Sequence, residues 1–150
     1  PLMRAFRVDK MTFAALHATL ELFLHPQTLS ATHPVTAMIS LSKEKLKRRA
    51  TRLAGRLKKV LPSTWNIQVE PSTSEIGGGA LPDRALPTFV VALYPPPDVS
   101  PHTTARAFRE QTPAVFGRVG AGCLLLDVRT MGPDDSSIVE QAATCIGVAL

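Results

Sequence analysis

The chain has little cysteine. Its two cysteines, Cys123 and Cys145, lie in apolar surroundings at no metal-ligand spacing and read as small buried hydrophobes rather than as a disulfide or a catalytic pair. A reducing compartment fits that usage, so a cytoplasmic protein is expected. No continuous apolar run reaches 18 residues, because His17 and Glu21 interrupt the first apolar stretch, and no signal-peptide pattern is present. A soluble protein without membrane association is therefore expected. The four histidines, His17, His25, His33 and His102, share no helix face with Cys, Asp or Glu at ligand spacing, which argues against a metal site. No serine stands in a G-x-S-x-G context, and Ser136 and Ser137 read as a helix start. Gly77, Gly78 and Gly79 precede no Gly-Lys-Ser/Thr and open no G-x-G-x-x-G, so neither a phosphate loop nor a dinucleotide fingerprint is present.

What is present begins with charge. The net charge of +5 conceals a concentration: Lys43 to Lys59 holds nine of the 17 Lys and Arg against the single Glu44, so this stretch carries +8 and the remainder −3. Such a block is either an electrostatic footprint for nucleic acid or the solvated face of a helix that buries its other side. With 150 residues and 45% hydrophobic content the chain can bury a real core, and one domain with a piece of a second is expected.

At the start, Arg4 and Arg7 are three apart. If that segment is helical they share a face and present two planar, permanently charged forks to one anion. Asp9 is placed to cap a helix running to Leu24, with Leu16, Leu20, Phe23 and Leu24 on one side and Met11, Ala14, Ala15, Ala18 and Leu22 on another. So apolar a helix is expected to be buried between two bodies, and, without an initiator Met, to continue a longer polypeptide. His25 and Pro26 end it. Gln27 to His33 reads as a polar connection, Pro34 to Leu41 as a short apolar segment, and the domain junction falls there, dividing the chain into 1–41 and 42–150.

Ser42 caps the most amphipathic helix, in which Leu46, Ala50, Leu53, Ala54, Leu57 and Val60 recur by threes and fours until Pro62. Trp65 to Glu70 alternates as a half-buried strand, and Phe89 to Tyr94 reads as a buried one closed by three prolines. Between them, the glycine run Gly77–Gly79 could cradle an oxyanion or let another backbone pass, or form a plain turn or bulge. Ser100 and Pro101 start a helix to about Gln111. Ala114–Val119 and Cys123–Arg129 read as a hairpin about Gly120, Ala121 and Gly122, and Asp134 or Asp135 caps a last helix toward Val148. The order points to an α+β fold, a mostly antiparallel sheet covered by helices.

Three stretches, PLMRAFRVDKMTFAALHATLELFL, SEIGGGALPDRALPTFVVAL and TPAVFGRVGAGCLLLDVRTMGPDD, occur in the order and spacing of one family. Together they resemble the C-terminal part of the bacterial selenocysteine synthases, the L-seryl-tRNA(Sec) selenium transferases. The resemblance fades after about Ser136. It implies a fold-type-I pyridoxal 5'-phosphate enzyme acting on seryl-tRNA(Sec) with selenophosphate as donor and working as a homo-oligomer. On that view residues 1–41 end the cofactor-binding core domain with its connecting helices, and 42–150 form the small C-terminal domain. The family's Schiff-base lysine lies in a Ser-Gly-Asp-Lys segment that these residues lack and that the resemblance places upstream. Lys10 is no substitute, so the chain alone is expected to hold no catalytic residue and to be inactive. The R-A-x-R-x-D-K pattern carries over at Arg4, Ala5, Arg7, Asp9 and Lys10, and the resemblance implies that Arg4 and Arg7 bind the phosphate-bearing selenium donor. Their alternative is a structural salt-bridge role. The run Gly77, Gly78 and Gly79 is assigned to the active-site side of the small domain. Two rival functions stand beside this one: a paralogue acting on a small amino or sugar acid, and a non-enzymatic nucleic-acid-binding or interaction module built on the basic helix.

Overall fold

A computed structural model describes residues 4, 6–76 and 85–149, the side chains of 148 and 149 excepted. The chain divides into two compact units, Pro1–Ser40 and Leu41–Leu150.

In the first unit, Asp9 adopts an extended conformation and its carboxylate accepts the Thr12 N–H at 2.7 Å, which starts α1 (Lys10–Phe23). The same backbone bond holds the Asp9 carboxyl below the usual carboxylate range. Two short helices follow, α2 (Leu29–Thr32) and α3 (Pro34–Ile39). The segment expected to be a plain polar connection thus contains a helical turn, closed by the His33 N–H on the Leu29 carbonyl and the Thr32 hydroxyl on the Thr28 carbonyl. His33 then caps α3 through Nδ1, which accepts the Thr36 N–H at 3.3 Å, with Pro34 in the first turn where its missing N–H costs nothing. Within this chain none of the three helices buries a residue, and Met11, Phe13, Leu16, Leu20, Phe23 and Leu24 are exposed, so the burial expected between two bodies is not supplied by the first unit itself. Two short helices beside α1 do not make the second layer that an apolar helix needs to close a core.

The second unit is built on a four-stranded antiparallel sheet in the order β1-β2-β4-β3, with β1 at Asn66–Glu75, β2 at Ala85–Tyr94, β3 at Arg118–Gly120 and β4 at Cys123–Asp127. Two helices, α4 (Lys43–Val60) and α5 (Pro101–Arg109), pack on it, and a third, α6 (Asp135–Ala149), packs against both of them. Serines cap the first two, Ser42 accepting from Lys45 N–H at 3.4 Å and Ser100 from Thr103 N–H at 3.0 Å. Helix α4 buries Leu46, Ala50, Leu53, Ala54 and Leu57 of the expected stripe, with Val60 only partly buried, on β1 and β2, in one core with Val91 and Leu93 of β2 and Leu124 and Leu126 of β4. Phe108 of α5 and Val139, Ala143 and Ile146 of α6 complete that core. The α+β class and the antiparallel sheet read from the sequence are therefore found.

Several boundaries differ. Strand β1 runs past Glu70 through Pro71 to Glu75, and β2 starts at Ala85 ahead of Pro87, paired from Asn66↔Tyr94 to Glu75↔Ala85. Both prolines are tolerated because β1 is an edge strand and β4 flanks β2 only from Val90 to Leu93, so neither position has ladder neighbours on both sides. The strand expected over 114–119 shrinks to Arg118–Gly120, because the Val115 N–H goes to the Phe108 carbonyl at the end of α5 rather than to a sheet neighbour. Strand β4 stops at Asp127, where the Arg129 N–H turns back to the Asp127 carboxylate at 3.0 Å. The hairpin is as expected: Gly120 pairs with Cys123, and Ala121 and Gly122 both have positive φ, 50° and 77°, as a two-residue turn of type I′ requires. Cys123 is buried, but Cys145 is exposed, because it falls outside the Val139–Ala142–Ala143–Ile146 stripe that α6 turns to the core. No helix among the described residues is long and apolar enough to cross a membrane.

Candidate functional site

The two arginines singled out from the sequence lie just ahead of α1. Arg4 is in a helical conformation, but Arg7 belongs to the non-helical lead into the Asp9 cap. The shared helical face expected of them is therefore not formed, because the cap at Asp9 needs extended backbone where a continuous helix would need helical dihedrals. Both side chains are exposed, and among the described residues neither makes an ion pair. Lys10 is exposed at the first position of α1. Nothing described around it encloses a pyridoxal phosphate, so the residues present do not fit that cofactor by themselves.

The run Gly77–Gly79 lies outside the described residues. Its stem is described, and there the sequence reading missed a polar centre. The Asp127 carboxylate, at the end of β4, accepts the Ser74 hydroxyl from β1 at 2.7 Å and the Thr88 hydroxyl from β2 at 2.9 Å. The Arg118 guanidinium from β3 stands 3.7 Å away and also reaches the Thr73 carbonyl at 3.3 Å. One carboxylate thus ties together all four strands at the root of the β1–β2 loop. Beside it a cleft of about 870 Å³ opens, with Ser74, Val115, Arg118, Asp127, Met131 and Ile138 among its walls. Within its wall the Ser74 hydroxyl and the Arg118 guanidinium are both engaged by Asp127. The readable signal was an Asp ending an otherwise apolar strand, with Ser74 and Thr88 one on each of the two strands that the loop joins.

Two titratable groups nearby on the sheet are kept neutral. The Tyr94 hydroxyl donates to Glu70 at 2.8 Å, and this bond, with burial, pushes its pKa up to about 12. Burial pushes the Cys123 thiol up, and its S–H donates to the Gly120 carbonyl at 3.1 Å. Such a thiol is not a reactive nucleophile.

A family model described as SelA: L-seryl-tRNA selenium transferase matches residues 1–132. The chain belongs to that family. Among curated relatives named L-seryl-tRNA(Sec) selenium transferase, that of Solidesulfovibrio magneticus is 42% identical over 140 residues, covering 93% of this chain and 30% of the relative. Those of Maridesulfovibrio salexigens and Escherichia coli are 38% and 39% identical over 142 residues, covering 95% and 93% of this chain and 30% of each relative. The chain spans about a third of the length of the curated relatives it matches.

Proposed function

We propose that this chain is the C-terminal portion of a cytoplasmic L-seryl-tRNA(Sec) selenium transferase that works as a homo-oligomer on seryl-tRNA(Sec), with pyridoxal phosphate and its lysine supplied by sequence outside this chain. The chain's own contribution is Arg4 and Arg7, which receive the anionic selenium donor, selenophosphate. The observation that carries this reading is the exposed state of both guanidiniums, with no carboxylate in ion-pair range among the described residues. It favours an anion from outside over the structural salt bridge that the sequence left open. A guanidinium matches a pair of phosphate oxygens with two parallel N–H bonds, and so fixes the donor's orientation as well as its charge.

The test is made in the full-length enzyme with Arg4→Ala and Arg7→Ala, following water loss from seryl-tRNA and selenium transfer separately. Each variant should need roughly ten- to a hundredfold more donor, the loss of about 1.5–3 kcal/mol of charge-assisted bonding, while water loss changes less. Arg→Lys should rescue poorly, because an ammonium lacks the fork. Parental rate and donor dependence in both alanine variants would return the pair to a structural role.

A further inference from the structure

We infer that the outward face of α4 is a binding surface for the phosphate backbone of a double-helical RNA. The burial of Leu46, Ala50, Leu53, Ala54 and Leu57 sets the rotation of this helix. At 100° per residue the charged positions then sort to either side of the buried stripe. Lys45, Arg48, Arg49, Arg52, Arg56 and Lys59 fall together on one flank, spaced by threes and fours, and all are exposed except the half-buried Arg56. Lys47 and Lys58 lie on the other, where Lys47 sits 5.9 Å over the Phe89 ring. The six-residue stripe extends about 21 Å along the helix, enough to meet several successive phosphates.

Little in the fold neutralises it. Glu140 of α6 reaches Arg56 at 3.5 Å, and Arg49 donates to the Met131 carbonyl at 3.4 Å. The Glu44 carboxyl in the first turn is held below the usual carboxylate range by hydrogen bonds to its own backbone N–H and the Ser42 side chain first, and by Lys43 and Arg48 after them. Among the described residues no carboxylate comes within 4 Å of Lys45, Arg48, Arg52 or Lys59. A face built only for solubility gains by alternating signs, whereas like charges three and four apart repel. This stripe repeats the repulsion at Lys45–Arg48, Arg48–Arg52, Arg52–Arg56 and Arg56–Lys59, and a polyanion reverses it. In the middle of the exposed side stands Gly55, where an added Cβ would meet nothing within 4 Å. Packing does not require a glycine there, and its lack of a side chain lets a phosphate backbone come close.

The rest of the face narrows the partner. Helix α4 has no aromatic residue on which unpaired bases could stack, and its outward side has no apolar anchor for a lipid interface. What remains is recognition of phosphates and of their spacing on a paired stem. The choice of RNA rests on the transferase reading, whereas the surface itself is argued from charge and geometry alone.

The whole 150-residue chain is titrated with a fluorescent RNA hairpin of fully paired stem across about 50 to 200 mM salt, and in parallel with phosphatidylserine vesicles. Binding to the hairpin should weaken linearly on a log–log plot. The variant Arg48→Gln/Arg52→Gln/Lys59→Gln should flatten the slope by about 3 and lower low-salt affinity roughly tenfold or more. Gly55→Glu sets a carboxylate in the stripe while improving helix propensity, so it should weaken RNA binding in a chain that keeps its fold. Lys47→Gln/Lys58→Gln on the other flank should do much less. The inference is overturned if the triple variant keeps parental affinity and slope, if the Lys47/Lys58 variant loses as much, or if the chain binds the vesicles and not the hairpin. No selenium transfer enters this assay, so its failure would leave Arg4 and Arg7 as assigned, and their failure would leave this surface standing.

Discussion

Replacing Leu53 by Ala should be among the most damaging single changes in the second unit. Leu53 is 1% exposed in the middle of the α4 stripe, in one core with Val91, Leu93, Leu124 and Leu126. Two of its neighbours on that stripe, Ala50 and Ala54, carry no side chain long enough to swing into the space left behind. The site therefore collapses only in part, and the cost lies above the foot of the Leu→Ala range, at about 3–4 kcal/mol. A domain of ordinary stability has only about 5–15 kcal/mol in total. Trp65, the single tryptophan, is 6% exposed in the same core, so its fluorescence reports unfolding directly. With a slope of about 1–3 kcal/mol per molar urea, the midpoint should fall by roughly 1–4 M at unchanged slope. Arg48→Gln, one turn away and exposed, should stay within about 0.5 kcal/mol of the parent. The opposite ranking, with Leu53→Ala silent and the charge change unfolding the chain, would mean that α4 is rotated relative to this account.

Asp127→Ala should cost about 2–4 kcal/mol, because it strands the Ser74 and Thr88 hydroxyls and the Arg129 N–H that the carboxylate accepts. Urea melts would show it, and a loss under about 0.5 kcal/mol would mean that the carboxylate is not the tie at the loop root. Tyr94, the only tyrosine, should ionise near 12 in the folded chain against about 10 when unfolded. Its folded pKa is the higher one, so its contribution to stability is intact below about pH 10 and declines as pH rises toward 12. Phenolate absorbance in the native chain at about pH 10, or a Glu70→Gln variant that leaves the titration unmoved, would refute the hydrogen bond as its cause.

Features governed by nearest neighbours are legible in the order of residues alone. The caps at Asp9, Ser42 and Ser100, the α4 stripe and the Gly120–Gly122 hairpin each depend on residues within a turn of one another, and local chemistry decides them. The candidate site is legible only in part. The R-A-x-R-x-D-K pattern marks Arg4 and Arg7, yet the cap that Asp9 forms breaks the helical face that spacing alone implied. Pro71 and Pro87 would each break a central strand, and only their places beside unpaired edges make them harmless.

By itself, then, the sequence carried the family likeness in three stretches, and it determined the α+β class, the starts of α1, α4 and α5 and the side of α4 that is buried, because periodicity and capping act over three or four residues. Tertiary structure alone decided how far β1 and β2 extend, why the strand before Arg118 is short, and that Asp127 gathers Ser74, Thr88 and Arg118 from three other strands. Those outcomes depend on which strands become neighbours. Partners 39 and 53 residues apart in the chain, Thr88 and Ser74 about Asp127, acquire their meaning only when the sheet closes around them.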